Sequence, residues 1–155
     1  MLENCKNAKE RWGGVSDIID RWLQERQELL VLFCQLSEIK EFDGENEAHG
    51  EKLRELCQVM VDYVSAGHFE VYDQLIKEGQ EFEDDEGLKT ASKLFTTIDA
   101  TTEVVLDTND KYTETDDLET LTEDLSKLGV ALESRFKAED AMIEVLHMAH
   151  RDLVA

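Results

Sequence analysis

The 155-residue sequence contains no proline and only eight glycines. Proline and glycine mark the turns of all-β sandwiches, which need a turn about every ten residues, so their scarcity favours long helices. Basic side chains are also few, since 16 lysines and arginines stand against 37 aspartates and glutamates, giving a formal charge of −21. Contacts to phosphate need clustered lysine and arginine. The composition therefore argues against direct binding of nucleic acid or of an anionic membrane, and favours basic proteins or cations as partners.

Long apolar runs are absent as well. No stretch approaches the roughly 20 apolar residues of a membrane span, and the N-terminal residues lack the apolar core of a signal peptide. The three cysteines, Cys5, Cys34 and Cys57, are odd in number and form no Cys-x-x-Cys pair. We expect reduced thiols in a cytoplasmic protein, with at least two of them small core residues. The length predicts a single domain over residues 1–155.

The sequence does contain helical periodicity, in four amphipathic segments separated by glycines and polar clusters. The first helix is predicted to begin near Ser16, a good N-cap, behind a shorter leading helix over residues 2–12. The second segment covers about 46–77 and the third about 88–112. The last has apolar residues three and four apart from Leu118, and the same spacing continues through Ala149 to Leu153. This pattern predicts an all-α fold, an antiparallel four-helix bundle with short extra helices.

Charged residues interrupt two of the apolar seams. Arg26 lies between Trp22 and Leu29 on the first helix, and Arg135 and Glu139 continue the leucine seam of the last helix. The pattern predicts polar residues in the bundle centre. They form either a binding cavity or, more simply, a buried polar network that fixes helix register at some cost in stability.

No catalytic or metal site is predicted. A carboxylate-bridged metal centre in a bundle needs two Glu-x-x-His pairs, and only Glu144 and His147 have this spacing. A phosphotransfer bundle needs an exposed histidine with lysine three residues later and then glycine. His49 has Lys52 but not the glycine, and His68 has neither. A histidine-phosphotransfer or metal-binding bundle is the alternative function class.

One segment differs in kind, because small residues interrupt the second helix where aromatic and polar groups crowd together. Its members are Asp62, Tyr63, Val64, Ser65, Ala66, Gly67, His68 and Phe69. Two interpretations stay open. Gly67 ends one helix and lets the chain bend into another, or the segment is a ledge on which a partner docks.

The same segment resembles the Rsd/AlgQ family in its motif Asp-Tyr-Val-Ser-Ala-Gly-His-Phe. Asp-Arg-Trp-Leu at 20–23 and Leu-Glu-Ser-Arg-Phe-Lys-Ala-Glu-Asp at 132–140 resemble it too, in the family's order, so that the similarity covers most of the chain. The resemblance implies a cytoplasmic anti-sigma factor folded as an antiparallel helical bundle, and the residues themselves predict neither enzyme activity nor a cofactor.

The partner implied by the resemblance is the housekeeping sigma subunit of RNA polymerase, bound chiefly through its C-terminal helix-turn-helix domain. Such binding favours alternative sigma factors in stationary phase, and the contact is expected around Asp62, Ser65 and Phe69. A further small regulatory protein is a second implied partner. No direct contact with nucleic acid or membrane is expected.

The negative charge of the chain is opposite to the charge expected on the DNA-binding surface of this partner. A sigma domain that grips promoter DNA is basic where it meets phosphate, so an acidic chain is drawn to that surface. A surface adapted to a saline cytoplasm explains the acidity equally well. The acidic segment 81–87 is predicted to be a solvated turn.

Overall fold

A computed structural model describes residues 2–115 and 117–153, with side chains from residue 10 onward except at positions 11 and 152. These residues form helices and turns, with no strand. The elements in chain order are α1 (Leu2–Ser37), α2 (Glu47–Ala66), a π-helical turn (Gly67–Val71), α3 (Tyr72–Glu81), α4 (Asp85–Glu114), α5 (Leu121–Leu146) and a 3-10 helix (Met148–Leu153). The all-α prediction is confirmed, and the four long helices are consistent with a bundle.

The first helix, α1, is uninterrupted, so the predicted leading helix over 2–12 and the predicted start near Ser16 are wrong. Gly13 and Gly14 lie inside α1. A glycine in a helix interior costs about 1 kcal/mol relative to alanine, which packing along the rest of the helix offsets. That packing begins directly after the two glycines, where Val15 and Ile19 are buried.

The helix α2 ends at Ala66, directly before Gly67, and α3 follows after the π turn, so a helix does end here, although the backbone at Gly67 stays right-handed helical instead of turning away. Gly67 has φ −57° and ψ −52°, and its carbonyl accepts from the Tyr72 amide to close the wider π turn. Glycine suits this position because it permits close approach, and not because the backbone requires its freedom. A Cβ at this position would lie 3.1 Å from the Trp22 ring and 3.2 Å from the Tyr72 ring. The π turn therefore packs directly on α1.

The last helix, α5, is shorter than the leucine seam predicts. Leu118 is buried before the helix begins, and α5 ends at Leu146. Ala149 and Leu153 were expected on the seam, but both are exposed, Leu153 to 68%. The seam prediction is therefore wrong beyond Leu146.

Two histidine–carboxylate contacts fix the chain where α5 ends. His147 Nδ1 lies 2.8 Å from Glu78 Oε2 of α3, and His150 Nε2 lies 2.9 Å from Asp84 Oδ2. Asp84 also accepts from the Gly87 amide at 2.9 Å and so caps α4. The acidic segment 81–87 is thus only partly a solvated turn, since it includes this cap and the first residues of α4.

Pairs of residues show how the helices lie against one another. Arg135 of α5 donates to the Ile98 carbonyl of α4 at 3.3 Å, and Lys111 of α4 lies 2.7 Å from Asp124 of α5. The pairs run in opposite order along the two helices. Trp22 of α1 donates to the Tyr63 carbonyl of α2, and Arg26 of α1 contacts Glu139 of α5. Together the helices enclose a core. Its largest fully buried apolar side chains are Tyr63, Leu29, Leu36, Leu56, Met60, Leu75, Leu121, Leu128, Met142 and Leu146.

The two described cysteines differ in burial, so the prediction of at least two core cysteines is met by one of them. Cys57 is buried and Cys34 is exposed, while the side chain of Cys5 lies outside the described residues. Burial raises the pKa of the Cys57 thiol to about 11, so this cysteine is protonated at neutral pH. Within the described part of the chain, no helix has the length and apolarity required to cross a bilayer.

Candidate partner-docking surface

The docking ledge, defined as residues 62–69, comprises the end of α2 and the start of the π turn. Its outward-facing residues are Asp62, His68 and Phe69. Phe69 is the most exposed large apolar side chain described, at 75%. Ser65 and Ala66 are half-buried between them. The ledge therefore offers one aromatic side chain beside small residues, on a backbone that is helical throughout.

The other ledge residues face inward, and they explain why the segment is well held. Trp22 of α1 stacks on Tyr63 with ring centroids 4.8 Å apart, and the Trp22 Nε1 donates to the Tyr63 carbonyl at 3.1 Å. Val64 and Gly67 are buried. A partner that docks on Phe69 would thus meet a surface supported by core packing.

A cavity of about 250 Å³ opens beside Phe69, between the ledge and α4. Phe95 and the 43% exposed Leu106 contribute to its walls, while the buried Tyr72 and Arg135 lie at its base. An exposed aromatic residue next to an apolar opening is typical of a surface that a partner covers.

Carboxylates border the ledge on the side of α1. Asp62 accepts from Gln58 Nε2 at 2.9 Å. Glu25 of α1 is half-buried, and its Oε2 has no hydrogen-bond partner among the described residues. Burial, and then the charges of Asp62, Glu28 and Glu70, raise the pKa of Glu25 above its usual 4.5. This side of the ledge is acidic, and Arg21 acts on Glu25 more weakly than the neighbouring carboxylates do.

Glu25 and Glu70 also border this surface, and no motif in the sequence indicates this. Glu25 lies on a different helix from the ledge, and only the fold brings the two together. Its one signal is position, because it comes one turn after the buried Trp22 and therefore lies near the edge of the buried stripe of α1.

Behind the ledge lies the buried polar network, centred on Glu139, which is 1% exposed. Glu139 Oε1 accepts from the Tyr63 hydroxyl at 2.5 Å, and Oε2 accepts from the Tyr72 hydroxyl. Arg135 Nε is 3.3 Å from Oε2 and Arg26 Nη2 is 3.4 Å from Oε1. Burial raises the pKa of Glu139, while these four groups act to lower it.

The structure brings the three sequence-predicted network residues together through Glu139, but not at equal depth. Arg135 is 1% exposed, and its Nη1 also donates to Thr101 and Thr102 at 3.1 and 2.8 Å. The Arg26 side chain is 12% exposed and binds Asp140 on the surface at 2.6 Å. Arg26 therefore closes the edge of the network. The two tyrosine partners were not anticipated from the sequence.

The residues of the alternative function class are placed apart. Glu144 is exposed, whereas His147 is buried against Glu78, so these two do not share a site. His49 Nδ1 accepts from the Asp43 amide at 3.2 Å. His68 is exposed, edge-on to the Phe69 ring. Over the described residues, no three or more histidine, cysteine, aspartate or glutamate side chains are grouped so as to hold a metal ion.

Comparison with known proteins points to one family. A family model described as "Regulator of RNA polymerase sigma(70) subunit, Rsd/AlgQ" matches residues 1–147. A protein named "Regulator of sigma D" from Yersinia enterocolitica is 34% identical over 149 residues, covering 93% of this chain and 89% of the relative. Those from Yersinia pseudotuberculosis and Salmonella arizonae are 36% and 35% identical, covering 93% and 98% of this chain and 88% and 95% of the relatives.

Proposed function

The chain belongs to the Rsd/AlgQ family of regulators of the RNA polymerase sigma(70) subunit, and from this membership we propose that it is an anti-sigma factor whose docking ledge binds the C-terminal promoter-recognition domain of the housekeeping sigma subunit. The protein is a regulator and not an enzyme. By occupying that domain in the cytoplasm, it withholds the housekeeping subunit from promoters and favours alternative sigma factors in stationary phase.

The exposure of Phe69 is the observation that carries this proposal. Burying a phenylalanine side chain contributes about 1.5–3 kcal/mol, and Phe69 leaves most of this unused in the free protein. Its ring stands on a segment held by Trp22 and Tyr63. Little conformational entropy is therefore lost when a partner covers it. The adjacent cavity receives an apolar side chain from the partner helix.

Charge supports the same kind of partner. Asp62 and the neighbouring carboxylates make the surface around the ledge negatively charged. The whole chain carries a formal charge of −21. A domain that binds promoter DNA presents lysine and arginine on its DNA-facing surface. Opposite charges on the two surfaces speed their association, and the acidic ledge disfavours partners that are themselves acidic.

The experiment measures the affinity of the purified sigma C-terminal domain for two variants, Phe69→Ala and Asp62→Ala. Each is expected to weaken binding by about 1–3 kcal/mol, the usual range for important interface side chains. Melting temperatures should stay close to wild type, because both side chains are exposed. Matched controls are Val130→Ala, which removes an apolar side chain 68% exposed on α5, and Glu119→Ala, which removes a carboxylate from the connection before α5.

Two results would contradict this proposal at different levels. If both ledge variants fold and bind like the controls, the ledge is not the docking surface. If the wild-type protein and the sigma domain do not co-elute in gel filtration and give no heat on mixing, the anti-sigma assignment to this domain is wrong.

A further inference from the structure

The end of α5 carries two histidines that belong neither to the docking ledge nor to the buried polar network. His147 is 2% exposed and His150 is 3% exposed, a degree of burial that is uncommon for an ionisable side chain. We propose that these two rings form a proton-dependent latch, which holds residues 147–153 on the bundle while the rings are protonated and releases them as the rings lose their protons. The inference is independent of the proposed function, because none of these residues belongs to the ledge.

The ring of His147 is held by residues from two other helices. Its Nδ1 lies 3.0 and 2.8 Å from the two carboxylate oxygens of Glu78 of α3, a residue that is itself 0% exposed. The Trp12 ring of α1 stacks on the imidazole with centroids 4.6 Å apart, and Trp12 Nε1 donates to the His147 carbonyl at 3.3 Å. Helices α1 and α3 and the end of α5 therefore meet at one imidazole ring.

The ring of His150 is held at the start of α4. Its Nε2 lies 2.9 Å from Asp84 Oδ2, and the ring stacks on Phe82 with centroids 4.5 Å apart. The Gly87 amide, which Asp84 caps, and then the His150 ring lower the pKa of the Asp84 carboxyl below its usual 3.8. Asp84 is therefore ionised at neutral pH and accepts a hydrogen bond from His150.

The charges at the two contacts indicate that the rings are protonated when the latch is closed. An ionised Glu78 beside a neutral ring would place an uncompensated negative charge in the interior of a chain whose formal charge is already −21, which is costly. Protonation of the His147 ring cancels that charge. At the second contact the attraction is mutual, because an imidazolium that favours ionised Asp84 is itself favoured by it.

The second nitrogen of each ring makes the latch sensitive to the loss of its carboxylate contact. His147 Nε2 and His150 Nδ1 are buried without a hydrogen-bond partner among the described residues. Each ring is thus held by one carboxylate and by stacking, and no second hydrogen bond replaces the ion pair when it is lost. The nearest other charged residues along the chain, Glu81, Glu144 and Arg151, are exposed, so solvent screens their effect on the rings.

The direction of the pH dependence follows from this closed state. A histidine that is charged more often in the closed latch than in the open one stabilises the closed form at low pH, and that contribution is lost as pH rises. Histidine changes its charge between about pH 5 and 8. The latch should therefore be closed near pH 6 and open more often near pH 8.5. Opening separates His147 from Trp12 and uncovers Leu146, which is 0% exposed at the end of α5.

Hydrogen exchange of the backbone amides of residues 147–153 measures this opening in the full chain. The rates are followed by mass spectrometry and corrected for the intrinsic exchange rate at each pH. In wild type, opening should increase roughly 10-fold or more between about pH 6 and 8.5, because one released proton changes an equilibrium by up to about tenfold per pH unit. Carbon-13 NMR of the two histidine rings should show imidazolium at pH 6.

Two variants remove the charge of one carboxylate while keeping its shape and a hydrogen-bond acceptor. In Glu78→Gln and in Asp84→Asn, opening at pH 6 should approach that of wild type at pH 8.5, and the pH dependence should be shallower. Asparagine caps a helix about as well as aspartate, so Asp84→Asn leaves the start of α4 intact. The matched control is His49→Gln, which removes a histidine that contacts Asp43 instead. It should keep the wild-type pH dependence of residues 147–153.

Three results would overturn the latch. One is corrected exchange of residues 147–153 that does not increase with pH in wild type. Another is a pair of rings that are neutral at pH 6 while these amides are protected. The third is a full wild-type pH dependence in both Glu78→Gln and Asp84→Asn. If the buried Glu78→Gln variant does not fold, Asp84→Asn and the wild-type ring spectra decide. Binding of the sigma domain enters none of these measurements, so the latch and the proposed function fail separately.

Discussion

Glu139 and Glu25 are two carboxylates near the docking ledge with contrasting surroundings. Glu139 is 1% exposed, yet two tyrosine hydroxyls and two arginines surround its carboxylate. Glu25 is less buried, but its Oε2 lacks any partner among the described residues. In both cases burial is the largest influence raising the pKa. The difference is the supply of hydrogen-bond donors, which surround the Glu139 carboxylate and leave the Glu25 Oε2 without a partner among the described residues.

Helix geometry explains how α1 serves both regions. Adjacent residues on an α-helix point about 100° apart, so Arg26 and Glu25 face different neighbours. Arg26 turns toward Glu139 and Asp140. Glu25 turns toward Asp62 and Glu70, whose charges act on it. Arg26 of α1 therefore pairs with the buried Glu139, while Glu25 of the same turn lies among other carboxylates.

The largest loss of stability is expected from disrupting the buried polar network around Glu139. Glu139→Ala leaves Arg135 buried without its counter-charge, and should lower the free energy of unfolding by about 3–5 kcal/mol, as for other broken buried pairs. Thermal and urea melts measure the change. Glu133→Ala is the matched control on α5, since its ion pair with Lys137 is 69% and 78% exposed. It should cost at most about 0.5 kcal/mol. Equal melting of the two variants would mean that the centre is solvated.

A smaller effect is expected from removing one donor of the centre. Tyr72→Phe deletes a hydroxyl that donates to Glu139 and accepts from Arg135 at 3.0 Å. The free energy of unfolding should fall by about 1–3 kcal/mol, because two buried charged groups each lose a partner. Chemical denaturation provides the measurement. An unchanged midpoint would show that Glu139 does not depend on its tyrosines, and would weaken the contrast with Glu25.

The smallest effect concerns salt. The rate of association with the sigma domain should fall as ionic strength rises, because exposed charges are screened over about 8 Å at physiological salt. Stopped-flow mixing at several salt concentrations measures this rate. The stability contributed by Glu139 should change less over the same range, since buried pairs are screened less. A flat association rate would favour the alternative that the acidity serves only to solvate the protein.

The spacing of residues along the sequence correctly predicted which side chains are buried where a helix packs along one face. Spacings of three and four placed Arg135 and Glu139 on the same line as Leu128 and Leu132, and all four are buried. The same count failed after Leu146, because the chain leaves the helix where His147 and His150 contact carboxylates from the α3–α4 region. No periodicity within α5 carries information about those contacts.

Glycine shows the same division. Gly13 and Gly14 suggested a boundary, yet α1 continues through them, because intrinsic propensity is weak beside tertiary packing. Gly67 suggested a helix end, and α2 does end directly before it, but the residue also allows the close contact with Trp22 and Tyr72. A glycine in a sequence marks a site of freedom or of close approach, and only the neighbouring helix distinguishes the two.

The sequence alone determined the helical class, the four long segments, the acidic surface and the family, because periodicity, composition and motif are properties of residues in order. Tertiary structure decided which carboxylates are matched. Tyr63, Tyr72 and Arg26 reach Glu139 from other elements, whereas the charges of Asp62 and Glu70 act on Glu25 more strongly than the charge of Arg21 does. Charge pairing depends on distance and burial across helices, and neither is encoded in the spacing along any one of them.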